Sequence, residues 1–292
     1  MKGTPYGGMS SHLRVYGRGM TLTTLTVFAR DGFELRAQRG GLKGAPTLVL
    51  LQGQANSHRW WTGLRERFED SLSTLTIDYR GTGGSRGPVD EWTTDTFADD
   101  VADVLGYLGI TSAAVYGTSM GGRIAQKLAI SEPGLVSALV LACTSPGGEL
   151  AVERSTETRL SIARAEPGEG RQVLHDLFYT PQWPGTPERS HLLGDPTMSR
   201  AEARAHLRVS GRHDASAELG QITAPTLVLH GDDDLMTPVV NAERLAERIP
   251  GADLTTYPGY RHGFFEELAD DVTAEIRNHL TVHGVLPEPA LV

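Results

Sequence analysis

Cysteine occurs once, at Cys143, in a chain of 292 residues. No intrachain disulfide can form, so the sequence demands neither an oxidising nor a reducing compartment. Lysine is nearly as scarce, with Lys2, Lys43 and Lys127 the only ones. Basic residues number 27 against 36 acidic ones, a formal net charge of −9. That balance argues against a nucleic-acid binder, which needs a basic patch or stripe. No apolar run is long enough to span a membrane, so no membrane partner is expected. The first twenty residues carry Gly, Ser, Arg and His but no apolar signal-peptide core, and the expected location is the cytoplasm. Ten histidines are present, yet no H-E-x-x-H and no clustered Cys/His spacing appears, so no metal is expected. The segment Gly81-Thr82-Gly83-Gly84 opens no suitable helix and reads as a turn rather than a dinucleotide site. No cofactor is expected.

What is present is ordinary globular chemistry, 39% hydrophobic and 22% charged residues. Short β-rich runs alternate with amphipathic stretches. The runs are Thr21–Ala29, Thr47–Leu51, Thr74–Asp78, Ala113–Tyr116, Ala138–Ala142, Thr226–His230 and Asp253–Tyr257. Several are continuously apolar, as strands covered on both faces must be. The alternation predicts an α/β fold with a mostly parallel sheet. Phe97, Val101, Val104, Leu105 and Leu108 follow helical spacing, as do Leu268, Val272, Ile276 and Leu280; both sets read as core-facing stripes. The alternation breaks at residues 145–219. Helical stretches such as Gln172–Phe178 and Ser199–Val209 lie there, with a loop bearing Trp183, Thr180–Pro187. The segment reads as a helical cap inserted between strands, since so long a structureless loop is uncommon. The expected organisation is a tail over 1–20, a core over 21–144 and 220–281, the cap over 145–219 and a second tail over 282–292.

Gly117-Thr118-Ser119-Met120-Gly121 is the strongest motif. It follows the run Ala113–Tyr116 and precedes a helical stretch, the strand–turn–helix setting of a nucleophile elbow. A serine on so tight a turn needs small flanking residues. Its oxygen stands above the sheet edge, and the helix N-terminus favours developing negative charge. Serine is a poor nucleophile without a base. His262 supplies one in the right order, in a turn-rich loop after Asp253–Tyr257. An acid must orient that histidine. Asp232, Asp233 and Asp234 compete after the strand Thr226–His230. Adjacent like charges resist joint burial, so one points inward.

An oxyanion hole needs two backbone N–H donors. Met120 follows the nucleophile, and the loop Gln52-Gly53-Gln54 follows Thr47–Leu51. Gly53 would let the chain turn sharply and leave the Gln54 N–H as the second donor. His58 and Trp61 stand close by in sequence; Trp60 and Trp61 are both pocket candidates, with at least one in the core. In the cap, Phe178, Tyr179 and Trp183 are candidates for an apolar substrate wall, or for packing within the cap.

On these motifs the sequence resembles the α/β-hydrolase superfamily, in the branch of esterases, enol-lactonases and polyketide-tailoring esterases. The likeness runs from about Thr24 to Leu280. Leu48–Gln54 resembles the oxyanion strand and loop. Asp78-Tyr79-Arg80-Gly81-Thr82-Gly83-Gly84-Ser85 matches a structural turn, D-x-R-G-x-G-x-S. Residues 230–238, H-G-x-x-D-x-x-x-P here, place the acid at Asp234, with Asp232 as runner-up. One departure is Gln52, where the family usually has His. The resemblance implies an α/β-hydrolase fold and an enzyme that cleaves an ester, lactone or thioester of a small to medium apolar substrate. Ser119, His262 and Asp234 would form the triad. Acyl transfer, elimination of an acyl leaving group and a non-enzymatic receptor are the other readings of the same scaffold. Oligomeric state is not legible.

Overall fold

The computed structural model describes residues 12–16, 20–166 and 168–288. Within them the chain forms a nine-stranded sheet in the order β1-β2-β3-β5-β4-β6-β7-β8-β9. The strands are β1 (His12–Tyr16), β2 (Met20–Phe28), β3 (Glu34–Gly41), β4 (Thr47–Leu51), β5 (Ser73–Ile77), β6 (Ala113–Thr118), β7 (Val136–Ala142), β8 (Thr226–Gly231) and β9 (Asp253–Tyr257). The first three run antiparallel, and β3 also pairs antiparallel with β5. From β5 to β9 every pairing is parallel. Eight α-helices accompany the sheet: α1 (Thr94–Tyr107), α2 (Met120–Ser131), α3 (Thr156–Arg164), α4 (Gly170–Phe178), α5 (Arg200–Gly211), α6 (Val240–Arg248), α7 (Phe264–Glu267) and α8 (Ala269–Val282). None of the described helices is long and apolar enough to cross a membrane.

Strands β4, β5, β6 and β8 are buried at every position, and this gives β4, β6 and β8 their largely apolar runs, whereas β5 keeps Thr74 and Thr76 on one face, bonded to Arg65. Successive side chains still point to opposite faces. Val49 and Leu51 join one apolar cluster with Phe97, Val101 and Val104 of α1 and Ile124 and Leu128 of α2. Leu48 and Leu50 join the other, with Trp60, Trp61 and Val272, Ile276 and Leu280 of α8. Both helical stripes expected from sequence therefore lie in the core. Burial of this kind contributes about 25 cal/mol per Å² of apolar surface.

Three expectations change. The stretch 12–16, taken as tail, pairs with β2 as strand β1; the rest of 1–19 lies outside the described residues. Strand β3 carries Arg36, Gln38 and Arg39 between its buried residues and gave no apolar run. At the other end, Leu286 falls in the segment taken as tail but is buried at 7% exposure, and its N–H donates to Leu280 O at 3.0 Å.

The excursion between β7 and β8 carries α3, α4 and α5 and no named strand. A capping box starts α5: Ser199 Oγ accepts the Glu202 N–H at 3.2 Å, and the Glu202 carboxylate accepts the Ser199 N–H at 2.6 Å.

Candidate active site

The turn between β6 and α2 puts Ser119 in the left-handed region, φ 54° and ψ −119°. Such a conformation is costly for a residue with a Cβ and persists only where its surroundings fix it. Here Ser119 N–H donates to Ala142 O at 2.9 Å, and Thr144 Oγ1 donates to Ser119 O at 2.7 Å. The flanking glycines are required by space. A Cβ at Gly117 would stand 2.4 Å from Gly121 O, and one at Gly121 would stand 2.1 Å from Leu51 O. Gly117 thus permits the close turn of α2 against β6, and Gly121 the close approach of α2 to β4.

His262 lies in the loop after β9 and is buried, its ring meeting the Phe178 ring edge-on with centroids 4.8 Å apart. Its Nδ1 faces Asp234 Oδ2 at 2.7 Å. Asp234 follows β8 and is 4% exposed. Its Oδ1 accepts N–H groups of Met236 at 2.8 Å and Thr237 at 2.9 Å. His230 Nε2 donates to Thr237 O at 2.8 Å and stands 3.3 Å from Asp234 Oδ2. Burial alone would raise the Asp234 carboxyl. The charge on His262 and hydrogen bonds from His230 and His262 outweigh it and hold the group well below the usual carboxylate range. The neighbouring carboxylates face solvent: Asp232 accepts the Gly259 N–H at 2.6 Å and Asp233 pairs with Arg261 at 3.1 Å.

Ser119 and His262 open onto one cleft of about 720 Å³, mouth included, which Gln54, Trp60 and Phe178 also line. Its lining mixes apolar side chains with a few polar ones, as ligand sites do. Met120 is the first residue of α2, its side chain buried in the core beneath the turn. In the loop after β4 the left-handed residue is Ala55 (φ 57°), not Gly53. Gly53 is needed for another reason: a Cβ there would stand 2.4 Å from the Trp60 ring. The Ala55 N–H donates to His206 Nδ1 at 3.3 Å, and His206 Nε2 donates to Arg80 O at 2.8 Å. Gln52 donates from Nε2 to Ile77 O at 2.7 Å, and its backbone O accepts from Tyr79 Oη at 3.1 Å.

Five of the residues expected to touch substrate, Gly53, His58, Trp61, Tyr179 and Trp183, lie outside the lining of this cleft. His58 is held by Asp78, whose Oδ1 stands 2.8 Å from its Nδ1 and accepts its N–H at 2.7 Å. Trp61 is fully buried against Tyr116, with ring centroids 5.0 Å apart. Tyr179 bonds to Ser190 and Glu266, and Trp183 stacks on Tyr179. The Asp78 turn is structural, as expected: Asp78 Oδ2 accepts the Gly84 N–H, and Ser85 Oγ donates to Asp78 O.

The Alpha/beta hydrolase family matches residues 48–276. The chain belongs to the alpha/beta hydrolase family. As a hydrolase it has relatives of nearly its own length. One, from Caulobacter vibrioides and provisionally named carbamate hydrolase RutD, is 26% identical over 249 residues, covering 82% of this chain and 92% of the relative. The pimeloyl-[acyl-carrier protein] methyl ester esterase of Nitrosomonas europaea is 29% identical over 237 residues, covering 75% and 90%. Among solved structures, the enol-lactonase from Burkholderia xenovorans LB400 superposes with a TM-score of 0.75 at 23% identity, covering 88% of this chain and 99% of that one.

Sequence reasoning missed part of this hydrolase's cleft. Leu174, Leu192 and Leu193 line it, together with Arg123, Arg154, Ser210 and Met236, beside Trp60, which was a pocket candidate from sequence. Arg123 carries a usable signal, since it lies four residues after Ser119 on the helix that the elbow starts. The others come from the excursion or the loop after Asp234, where spacing gives no register. Outside the cleft, Cys143 is fully buried, and burial pushes its thiol well up; it is an inert packing residue. Among the described residues one group has potential metal-ligand geometry: Asp253, His279 and His283. It lies where β9 begins, at the sheet edge opposite the loop of His262.

Proposed function

We propose that this hydrolase cleaves carboxylic esters, lactones or thioesters of small to medium apolar acyl compounds through an acyl-enzyme on Ser119. The observation that carries the reading is the buried 2.7 Å contact from His262 Nδ1 to Asp234 Oδ2 in the wall of the cleft that Ser119 lines. With its Nδ1 proton held by Asp234, the imidazole has Nε2 free to act as base. His262 takes the Ser119 proton, and Ser119 attacks the carbonyl carbon. The backbone N–H groups of Gln54 and Met120 receive the oxyanion. His262 then protonates the leaving group and activates water, which releases the acid and restores Ser119. The segment 145–219 acts as the cap, contributing Phe178, Leu192 and Leu193 to the apolar wall. The names of two relatives, a methyl ester esterase and a carbamate hydrolase, support attack on a carbonyl bearing a heteroatom.

The test is intact-protein mass spectrometry after exposure to a fluorophosphonate. A single adduct on the wild type, absent from Ser119→Ala, is expected. Turnover of an ester by Ser119→Ala should fall by about 10⁴ or more. A folded wild type that forms no adduct refutes the covalent mechanism, and turns attention to elimination driven by His262 or to a binding role.

A further inference from the structure

The cleft has two unlike walls. Trp60, Leu174, Phe178, Leu192 and Leu193 make one apolar; Arg123 and Arg154 make the other basic. Arg123 lies about one helical turn beyond Ser119, so α2 carries it on the same side as the serine. Its Nη1 donates to Ser210 O at 2.6 Å. Its Nε is shut away from solvent and has no partner among the described residues. Among the described residues Arg154 donates a single side-chain hydrogen bond, from Nη1 to Met236 Sδ at 3.7 Å, and a thioether is a weak acceptor.

Elsewhere in the fold, enclosed arginines are answered by carboxylates. Arg65 pairs with Glu69 at 2.9 Å, and Arg80 pairs with Asp100 at 2.7 Å and Asp31 at 2.5 Å. Among the described residues Arg123 and Arg154 have no such ion pair. Burial lowers the Arg123 guanidinium to about 10; Glu153 opposes this and Arg154 adds to it. Arg123 therefore stays charged at neutral pH. Among the described residues neither guanidinium has a carboxylate at ion-pair distance, although Glu153 acts on both and Asp234 on Arg154 from farther off, and an enclosed charge that lacks a paired partner is costly. The missing partner fits a ligand.

We infer that the basic wall is a subsite for an anionic group of the substrate, so that the preferred esters carry a carboxylate on an otherwise apolar chain. The chain lies along Trp60, Phe178 and the two leucines. The carboxylate accepts from Arg154, whose fork has donors to spare, and lies in the field of the Arg123 guanidinium beside it. The inference rests on the reading above for the placement of the scissile carbonyl at Ser119, while the charge recognition itself needs no catalysis.

The probes are the monomethyl esters of succinic, glutaric and adipic acids, each compared with its neutral dimethyl ester. Binding is measured by calorimetry to Ser119→Ala, which holds substrate without consuming it. For at least one chain length the monoanion is expected to bind on the order of tenfold tighter than the diester. The preference should shrink with added salt and disappear in Ser119→Ala with Arg154→Gln. Arg154→Lys on the same background should restore part of it, which a merely structural role for Arg154 does not predict. Equal binding of monoester and diester at every chain length, or no binding of any monoester, overturns the subsite. A preference that survives both Arg154→Gln and Arg123→Gln overturns the assignment to these side chains. Fluorophosphonate labelling of the wild type is read separately: its failure beside an intact preference strikes the hydrolytic mechanism and leaves the subsite standing.

Discussion

Replacing Asp234 with asparagine tests the polar centre of the site with one atom changed. The carboxylate answers four donors: Met236 and Thr237 N–H at Oδ1, His262 Nδ1 at 2.7 Å and His230 Nε2 at 3.3 Å at Oδ2. Asparagine keeps a single oxygen. If that oxygen stays with the two backbone groups, the amide NH₂ faces His262 and His230. His262 must then accept at Nδ1 and carry its proton on Nε2, where it cannot serve as base for Ser119. If the amide flips, the NH₂ meets the N–H groups of Met236 and Thr237 instead. Wrong-tautomer substitutions of this kind cost about 10⁴ in turnover, roughly 5.5 kcal/mol of transition-state stabilisation. The mismatched donors should also lower stability by about 1–3 kcal/mol. The assay is kcat/KM on a p-nitrophenyl ester for Asp234→Asn and Asp232→Asn, with circular dichroism to show that both fold. Asp232 is exposed and accepts only the Gly259 N–H among the described residues, so its variant should lie within about threefold of wild type, as surface changes usually do. Equal losses at the two positions, or the larger one at Asp232, would refute the assignment of the acid.

Other perturbations follow from the same contacts. Burial lowers His206 to about 4 and His213 to about 3, so both are neutral in the fold. The unfolded chain takes up protons below about pH 6.5 that the native state refuses. Stability should therefore fall as pH drops from about 6.5 to 4, with roughly 3 kcal/mol at stake for His206 alone. Thermal melts across that window should show a shallower acid limb for His206→Gln, and an unchanged slope contradicts the account. Gly121→Ala drives a methyl group against Leu51 O; a loss of about 1–3 kcal/mol and slower fluorophosphonate labelling are expected, and a wild-type melting curve with wild-type labelling rules the constraint out. Trp61→Ala should cost about 3–5 kcal/mol in urea unfolding as a core truncation. Trp60→Ala should in addition raise KM for apolar esters, and identical kinetic profiles for the two variants count against a Trp60 wall.

The parallel part of the sheet was legible in the sequence because strands buried on both faces leave uninterrupted apolar runs, as Thr47–Leu51 and Thr226–Gly231 do. Strand β3 was not, because its polar residues alternate with few apolar ones, and β1 offers no apolar run at all. Residues whose positions depend on a local turn were equally legible: the glycines around Ser119 and the loops that follow β8 and β9. Gly53 shows the limit of that reasoning. Its need was visible, yet the cause is the Trp60 ring rather than the backbone turn. The cleft wall was least legible. Which of Trp60 and Trp61 faces the cleft, and which aromatic of the excursion reaches it, depends on contacts between segments far apart in the sequence.

Those long-range contacts are many. Gly194 N–H donates to Asn56 Oδ1 at 3.1 Å, Asn56 Nδ2 to Leu192 O at 3.3 Å, and Asp195 N–H to Ala55 O at 2.7 Å. On the other flank Gly263 N–H donates to Phe178 O at 2.7 Å and Thr180 N–H to Glu267 at 2.8 Å. The apolar wall of the cleft is thus sewn to the loop of Gln54 on one side and to the loop of His262 on the other. For anyone building chimeras from this scaffold, residues 145–219 are not a portable module. Moved alone, they strand Asn56 and Glu267 without their partners across the seams and shift the two loops that line the cleft; the transferable piece is the excursion together with both of its seams.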